Sequence, residues 1–159
     1  MNDIILKGAT IMRHILFVCT GNTCRSPMAA AILKHRNIDG VEVKSAGIFA
    51  ADGGDASAHA KQVLKDNKIS YQHRSQMLTD AEVDWADLII TMTDAHKRSI
   101  QQQYPQAAEK VFTLKEYSGE ATNLDITDPY GGDLEQYKKT FHELERLIDQ
   151  MIEKITAEP

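Results

Sequence analysis

Residues 14–36 read HILFVCTGNTCRSPMAAAILKHR, and this stretch decides the fold. His14-Ile-Leu-Phe-Val18 is a short, continuous apolar run, which is typical of a strand buried on both faces of a sheet. After the loop, Ser26 can cap a helix, Pro27 fits its first turn, and the apolar residues that follow recur at i, i+4 spacing. The stretch therefore predicts a strand, a tight loop of residues 19–26 and a helix.

The remainder of the chain alternates the same two kinds of element. Further strands are predicted at 41–46, 88–92 and 111–114, and further helices at about 56–67, at 94–103 and along the amphipathic stretch 134–155. This alternation predicts an α/β three-layer sandwich, in which helices flank a four-stranded parallel sheet of strand order 2-1-3-4. Ligands bind such sheets beyond the carboxyl ends of the strands, where Cys19 is expected.

Length and composition fit one domain. The chain has 159 residues, of which 42% are hydrophobic, and no linker or repeat divides it. Residues 1–11 precede the first convincing strand, and we expect them to form an N-terminal extension without a role of their own. Residues 12–159 are predicted to form the single domain, and we expect a monomer.

Charge and residue spacing exclude several classes of partner. Lys and Arg total 18 against 23 Asp and Glu, the net charge is -5, and no basic run is present, so we expect neither nucleic acid nor an anionic membrane surface as the main partner. There is no apolar stretch of membrane-spanning length and no secretory pattern, which predicts a cytoplasmic protein. The six histidines have no metal-ligand spacing, so we expect no metal and no cofactor.

The loop 19–26, the Cys19 loop, has the composition of an anion site. A short loop between a strand and a helix can turn successive backbone N–H groups inward, and we expect Gly21 to supply the backbone angles for this curl. The helix that follows directs its positive end to the same place, and Arg25 offers a planar fork that matches two phosphate oxygens. The loop is thus predicted to bind a phosphate dianion.

The same surroundings favour a reactive sulfur at Cys19. Helix N-termini and nearby cations stabilise a thiolate, which is the nucleophilic form of cysteine. We expect the Ser26 hydroxyl to donate a hydrogen bond to this sulfur and the Asn22 amide to hold the loop from within. A structural, buried cysteine is the commoner case, but the pattern C-x5-R-S between a strand and a helix favours a nucleophile.

A thiolate that displaces a group from phosphorus needs a proton donor, and hydrolysis of the intermediate needs a base. One carboxyl group can serve in turn. Asp128 is the candidate, because it lies in a loop after the last strand that Pro129 stiffens and a Gly-Gly pair allows to turn back. Asp125 and Asp133 remain alternatives.

Together, the Cys19 loop and Asp128-Pro-Tyr130 resemble the low-molecular-weight protein tyrosine phosphatases. The resemblance implies Cys19 as nucleophile, Arg25 as phosphate clamp, Asp128 as acid and then base, and a metal-free reaction through phosphocysteine on phosphorylated proteins. It also implies a polar network behind the loop at Asn22, Ser26, Ser45 and His73. The residues expected to bind substrate are Thr20, Gly21, Asn22, Thr23, Cys24, Ser26 and Tyr130.

Within this family, the chain is more similar to a bacterial branch that removes phosphate from arginine. Tyrosine-directed members usually carry a bulky aliphatic residue where Thr23 stands, and a smaller polar side chain suits a slim guanidinium. Asp128 could pair with the guanidinium nitrogens, and Tyr130 could stack on its plane. A tyrosine phosphatase of the same family remains the alternative.

Three other classes fit less well. Arsenate reductases of this fold need further cysteines downstream, and none follows Cys24. The spacing C-x4-C differs from the C-x-x-C of dithiol oxidoreductases, and a phosphate-binding module without activity would lack the nucleophile or the acid. We expect Cys24 either to capture an oxidised Cys19 as a reversible disulfide or to serve in loop packing.

Overall fold

The structure is a computed structural model, and it describes residues 13–157. The predicted extension 1–11 lies outside the described residues, so its boundary stays a prediction. The strands are β1 Arg13–Cys19, β2 Val41–Gly47, β3 Leu88–Thr91 and β4 Val111–Thr113. The helices are α1 Arg25–Arg36, α2 Ala58–Asp66, α3 Asp80–Trp85, α4 Asp94–Gln103, α5 Leu114–Tyr117 and α6 Leu134–Ala157, and a 3₁₀ helix spans Pro105–Lys110.

The four strands form one parallel sheet in the order β2-β1-β3-β4. The predicted fold class and strand order are therefore confirmed. β1 lies between β2 and β3, and Cys19 is paired with Gly47 at the carboxyl end of the sheet. The order reverses at β1, because the chain next forms a strand on one side of it and then one on the other. The Cys19 loop leaves the sheet at this reversal.

Alternating residues of β1 supply both apolar layers. Ile15 and Phe17 belong to the core that the sheet forms with α1, α2 and α6. Leu16 and Val18 belong to the core on the opposite face, with residues of α3 and α4. All four side chains are fully buried. The sheet that carries the Cys19 loop is thus held on both faces, which gives the loop a rigid base.

Two short helices, α3 and α5, were not predicted from the sequence. α3 and α5 each begin with a capping box, formed by Thr79 with Glu82 and by Thr113 with Glu116. The second box ends β4 at Thr113, one residue before the predicted end of the strand. Helices of six and four residues carry too little apolar periodicity to be recognised, so only their caps could have revealed them.

Trp85 packs at the junction of α3 with the sheet. Its ring stacks on His14 at a centroid distance of 4.5 Å, and Lys44 Nζ lies 4.4 Å from the ring centroid. These contacts join the end of α3 to β1 and β2.

Among residues 13–157, no helix is long and apolar enough to span a membrane.

Candidate active site

The carbonyl groups of the Cys19 loop are bound from outside. Five of them accept hydrogen bonds from the surrounding chain, at distances between 2.6 and 3.2 Å. The pairs are Ile48 N to Cys19 O, Phe49 N to Thr20 O, His73 Nε2 to Asn22 O, Ser57 N to Thr23 O and Met28 N to Cys24 O.

This outward direction of the carbonyls determines where the amides point. In a planar trans peptide, each N–H is directed opposite to the preceding C=O. The N–H groups that follow the bound carbonyls are therefore directed towards the centre of the loop. Within the described part of the chain, the amides of residues 20–25 donate no hydrogen bond to another protein group. They are available to an anion.

Asn22, and not Gly21, makes the sharp turn of the loop. Asn22 has φ 56°, in the left-handed region, whereas Gly21 has no positive φ and a Cβ there would meet only Thr23 Oγ1 at 3.7 Å. The prediction that Gly21 supplies the special backbone angles is therefore wrong. Asparagine tolerates the left-handed region better than most residues, because its short polar side chain forms local hydrogen bonds.

The Asn22 side chain holds the loop and orients the hydroxyl next to Cys19. Its Nδ2 donates to Ser26 Oγ at 2.8 Å and to Ser45 Oγ at 2.9 Å, and its Oδ1 accepts from the Gln76 N–H at 3.0 Å. Ser26 Oγ lies 2.9 Å from Cys19 Sγ. Because Ser26 Oγ already accepts from Asn22, its own hydrogen is available to donate to the sulfur. This arrangement stabilises a thiolate.

Ser26 does not cap α1, contrary to prediction. The helix begins at Arg25, Cys24 occupies the N-cap position, and no side chain caps the first turn. The Ser26 hydroxyl is engaged by Asn22 and Cys19 instead. The N-terminal amides of α1 thus remain open to a ligand, and the positive end of the helix dipole adds to the attraction of an anion.

His73 secures the other side of Asn22. Its Nε2–H donates to the Asn22 carbonyl, and its ring stacks on that of Tyr71 at a centroid distance of 6.0 Å. Burial lowers the pKa of His73, although the hydrogen bond to Asn22 and the charge of Asp55 act in the opposite direction. The residues expected to form the network, Asn22, Ser26, Ser45 and His73, are therefore joined by hydrogen bonds centred on Asn22.

Arg25 connects the Cys19 loop to the loop of Asp128. Arg25 is only 4% exposed; its Nη1 donates to the Ile126 carbonyl at 3.0 Å, and its Nη2 lies 3.4 Å from Asp128 Oδ2. Because Ile126 and Asp128 both hold the guanidinium, its plane is fixed beside Cys19. The Asp128 carboxylate remains about half exposed, so a substrate can reach it.

The other two aspartates proposed as alternatives have structural roles. Asp125 Oδ1 accepts from the Asp94 N–H at the start of α4, and Asp133 Oδ1 accepts from the Gln136 N–H at the start of α6. Asp128 Oδ1 accepts from the Tyr130 N–H, which leaves Oδ2 towards Arg25. Of the three carboxylates, only that of Asp128 lines the cavity at Cys19.

A cavity of about 220 Å³, the Cys19 cavity, collects most of the predicted residues. It is lined by Cys19, Thr20, Gly21, Thr23, Cys24, Arg25, Asp128 and Tyr130. Two larger cavities contain neither Cys19 nor Arg25, so the chemistry of the lining and not its size marks the site. Asn22 and Ser26, both predicted to bind substrate, are fully buried and are not among the residues that line the cavity.

Cys24 lies in a different environment from Cys19. Its Sγ is 3.2 Å from Tyr137 Oη and 3.6 Å from Ser57 Oγ, and both thiols are free. Burial, together with the contact to Cys24, raises the pKa of Tyr137 to about 12. The phenol therefore stays protonated and can hold the second thiol in place. A regulatory disulfide between the two cysteines stays a prediction.

Three residues near the Cys19 cavity were not found from the sequence. Phe49 is 79% exposed although its N–H donates to the Thr20 carbonyl of the loop. Gly47 permits a close approach, because a Cβ there would lie 2.5 Å from Thr20 O and 2.9 Å from Asn22 N. His96 Nε2 lies 2.9 Å from Thr20 Oγ1. The available signals were a glycine at the end of β2 and an apolar residue shortly after it.

In residues 13–157, no three His, Cys, Asp or Glu side chains are grouped so that they could hold a metal ion. The Cys19 sulfur, amides directed inward, a fixed guanidinium and a half-exposed carboxylate meet at one cavity. A family model described as low molecular weight phosphotyrosine protein phosphatase matches residues 14–159. The chain belongs to this family. It is accordingly an enzyme of the cysteine-based phosphatase class.

Individual relatives support the assignment over almost the whole length. A protein-arginine-phosphatase of Geobacillus stearothermophilus is 53% identical over 145 residues, which cover 91% of this chain and 97% of that protein. The solved structure of the YwlE arginine phosphatase from the same organism has a TM-score of 0.89 at 51% identity, covering 91% of this chain and 94% of that one. A YwlE mutant with a phosphorylated active-site serine has a TM-score of 0.85 at 42% identity, with coverages of 90% and 95%.

Proposed function

We propose that this phosphatase hydrolyses phosphoarginine in proteins through a phosphocysteine intermediate. The observation that carries the choice of arginine is the lining of the Cys19 cavity, where Thr23 stands in place of a bulky aliphatic residue and Asp128 lines the same cavity. Protein-arginine-phosphatases among the relatives support the same choice.

The first step transfers the phosphoryl group to sulfur. Cys19 Sγ attacks phosphorus while the loop amides and Arg25 bind the phosphoryl oxygens. The bond from phosphorus to the guanidinium nitrogen breaks, and Asp128 donates its proton to that nitrogen as it leaves. Arginine departs with the proton from Asp128 on that nitrogen, Asp128 is left as a carboxylate, and the sulfur carries the phosphoryl group.

The second step releases phosphate. Asp128, now a carboxylate, accepts a proton from a water molecule, whose oxygen attacks phosphorus as the bond to sulfur breaks. Cys19 leaves as a thiolate, and the Ser26 hydroxyl donates to it at that moment. The reaction returns both groups to their starting state and uses side chains of this chain alone.

The substrate side of the proposal rests on shape and charge. A guanidinium is flat, narrow and rich in N–H donors, so it can donate a hydrogen bond to a carboxyl oxygen of Asp128 and pack against the exposed ring of Tyr130. Because one chain supplies the whole cavity lining, we propose that the enzyme acts as a monomer. A nucleophilic thiol requires a reducing compartment, and we therefore place the enzyme in the cytoplasm.

Substrate choice is tested by comparing kcat/KM for phosphoarginine and phosphotyrosine peptides of the same sequence. We expect the wild type to prefer phosphoarginine and Thr23→Ile to shift the preference towards phosphotyrosine. Thr127→Ile, a substitution outside the Cys19 cavity, is the matched control. A wild type that prefers phosphotyrosine would make the chain a tyrosine phosphatase, and an unchanged preference in Thr23→Ile would remove the role of Thr23.

Roles in the chemistry are tested separately. Cys19→Ser should abolish turnover, and Asp128→Ala should slow it, with p-nitrophenyl phosphate as the substrate. Full activity in either variant would remove the role given to that residue.

The redox role of Cys24 is tested by peroxide treatment and intact-mass analysis. Peroxide would oxidise the Cys19 thiolate to a sulfenic acid, and attack by the Cys24 thiol would release water and form the disulfide. The expected product is a loss of two hydrogens that a reductant restores. A stable gain of two or three oxygens would exclude this protection.

A further inference from the structure

His96 is a buried side chain that connects helix α4 to the Cys19 loop, and the proposed reaction leaves it without a role. It lies in the first turn of α4, where its backbone N–H donates to the capping oxygen of Thr93 at 3.1 Å. The residue is only 8% exposed. Its Nε2 lies 2.9 Å from Thr20 Oγ1, so the imidazole contacts the residue next to the nucleophile.

The second ring nitrogen of His96 determines which atom carries the proton. Among residues 13–157, Nδ1 is buried and has no hydrogen-bond partner. A buried N–H without an acceptor is rarer in proteins than an acceptor with an unfilled lone pair. The favoured neutral tautomer therefore has its proton on Nε2, and the Nε2–H donates to Thr20 Oγ1.

The charged form of His96 is disfavoured by the same surroundings. An imidazolium would carry a second N–H on the unpartnered Nδ1, close to the guanidinium of Arg25. Burial and the charge of Arg25 lower the pKa of His96 to about 4, although Asp125 and Asp128 act in the opposite direction. The ring is thus neutral at neutral pH, and the direction of its hydrogen bond to Thr20 is fixed.

A fixed donor at His96 leaves the hydrogen of the Thr20 hydroxyl for another acceptor. A hydroxyl has one hydrogen to donate, and Thr20 cannot donate it to Nε2 when Nε2 already carries a proton. Thr20 is exposed and lines the Cys19 cavity beside Arg25 and Asp128. Its O–H is therefore a donor at the cavity, in addition to the loop amides and Arg25.

We propose that His96 is a positioning residue, which directs the Thr20 hydroxyl to donate a hydrogen bond to the phosphoryl group bound in the Cys19 cavity. This rests on the proposed phosphatase chemistry at Cys19 but not on the choice of arginine over tyrosine. The pair gives the enzyme a neutral donor whose direction is set from outside the loop, by a helix whose residues do not line the Cys19 cavity.

The functional test is a double-mutant cycle with p-nitrophenyl phosphate as substrate and inorganic phosphate as inhibitor. Thr20→Val removes the hydroxyl and keeps the shape, and His96→Leu removes the donor that orients it. We expect each variant to lower kcat/KM roughly tenfold and to weaken inhibition by phosphate, as for one lost hydrogen bond to a charged group. The kcat/KM of the double variant should be no lower than that of the less active single variant, because both substitutions remove the same interaction.

Conservative variants separate positioning from a merely structural role. Thr20→Ser and His96→Gln keep a hydroxyl and a side-chain donor, so each should retain more phosphate affinity than Thr20→Val and His96→Leu. His142→Leu, at an exposed histidine of α6, controls for the loss of an imidazole. Additive effects in the double variant, or phosphate inhibition unchanged in Thr20→Val, would overturn the proposal.

A second measurement on the wild type does not depend on how the variants fold. Long-range ¹H–¹⁵N correlation spectra of the imidazoles report the tautomer of each histidine. We expect His96 to be neutral at pH 6 with its proton on Nε2, and a proton on Nδ1 would refute the inference. If the protein hydrolyses p-nitrophenyl phosphate but not phosphoarginine, the choice of arginine fails while the His96 proposal remains tested by the cycle and the spectra.

Discussion

Asn22 offers the most direct test of how the Cys19 loop is held. Asn22→Ala removes the three side-chain hydrogen bonds that Asn22 makes to Ser26, Ser45 and the Gln76 N–H. At about 1 kcal/mol for each bond, the loss is about 3 kcal/mol. Alanine at φ 56° adds about 1 kcal/mol of backbone strain, so the free energy of unfolding should fall by about 4 kcal/mol.

Two further variants divide this sum into its parts. Asn22→Gly loses the same hydrogen bonds without the strain and should be about 1 kcal/mol more stable than Asn22→Ala. Asn37, the residue after α1, has nearly the same φ of 55° but is exposed, and no side-chain hydrogen bond of Asn37 is found among residues 13–157. Asn37→Ala should therefore cost only about 1 kcal/mol.

The assay is urea unfolding at pH 7, followed by circular dichroism, with kcat/KM for p-nitrophenyl phosphate measured on the same samples. Activity should fall in both Asn22 variants, because the Ser26 hydroxyl is no longer oriented towards Cys19. The reasoning is refuted if Asn22→Ala is no less stable than Asn37→Ala, or if the glycine variant is the less stable of the two at position 22.

Three other predictions concern the surroundings of the loop. Gly47→Ala should lower kcat/KM by roughly 100-fold, because the new methyl group would lie 2.5 Å from Thr20 O, while circular dichroism should show that the fold is retained. Near wild-type activity would contradict the close approach of Gly47 to the loop. The free energy of unfolding should fall as the pH drops from 6.5 to 4, by at most about 3 kcal/mol, because the unfolded chain protonates His96 and the folded chain does not. Urea unfolding across this range should show that the free energy of unfolding declines less steeply in His96→Gln than in the wild type. Equal declines in the two proteins would argue against this role of His96. Ser26→Ala should slow breakdown of the phosphocysteine roughly tenfold, since the departing sulfur of Cys19 loses the hydrogen bond from the Ser26 hydroxyl. Stopped-flow measurement should then show a burst of p-nitrophenol release. An unchanged steady-state rate would exclude this role of Ser26.

Local patterns were sufficient for much of the fold. The apolar run of β1, the continuous apolar strand β3 and the long periodic helix α6 were found with bounds within a residue or two. The strand order followed because right-handed crossovers restrict how alternating strands and helices can be arranged. These features depend on residues close together in the chain, and the period of burial is visible in the sequence.

Local patterns failed where a residue's partner is distant in the chain. Ser26 looks like a helix cap in sequence, but in the folded protein its hydroxyl is bound by Asn22 and Cys19. Gly21 looks like the turning residue, but Asn22 takes the left-handed conformation because Ser45 and Gln76 supply its side chain with partners. Backbone propensity is weak beside several buried hydrogen bonds, so the tertiary partners decide.

The sequence by itself determined the composition of the Cys19 loop as an anion site, because the thiol, the amides, the helix start and Arg25 all lie within a few residues. It also determined the sheet that presents the loop. Only the tertiary structure decided that Asp128, more than a hundred residues away, lies next to Arg25 and that His96 contacts Thr20. Such contacts arise where the carboxyl ends of parallel strands bring distant loops to one edge of the sheet, and no local pattern records which side chains meet there.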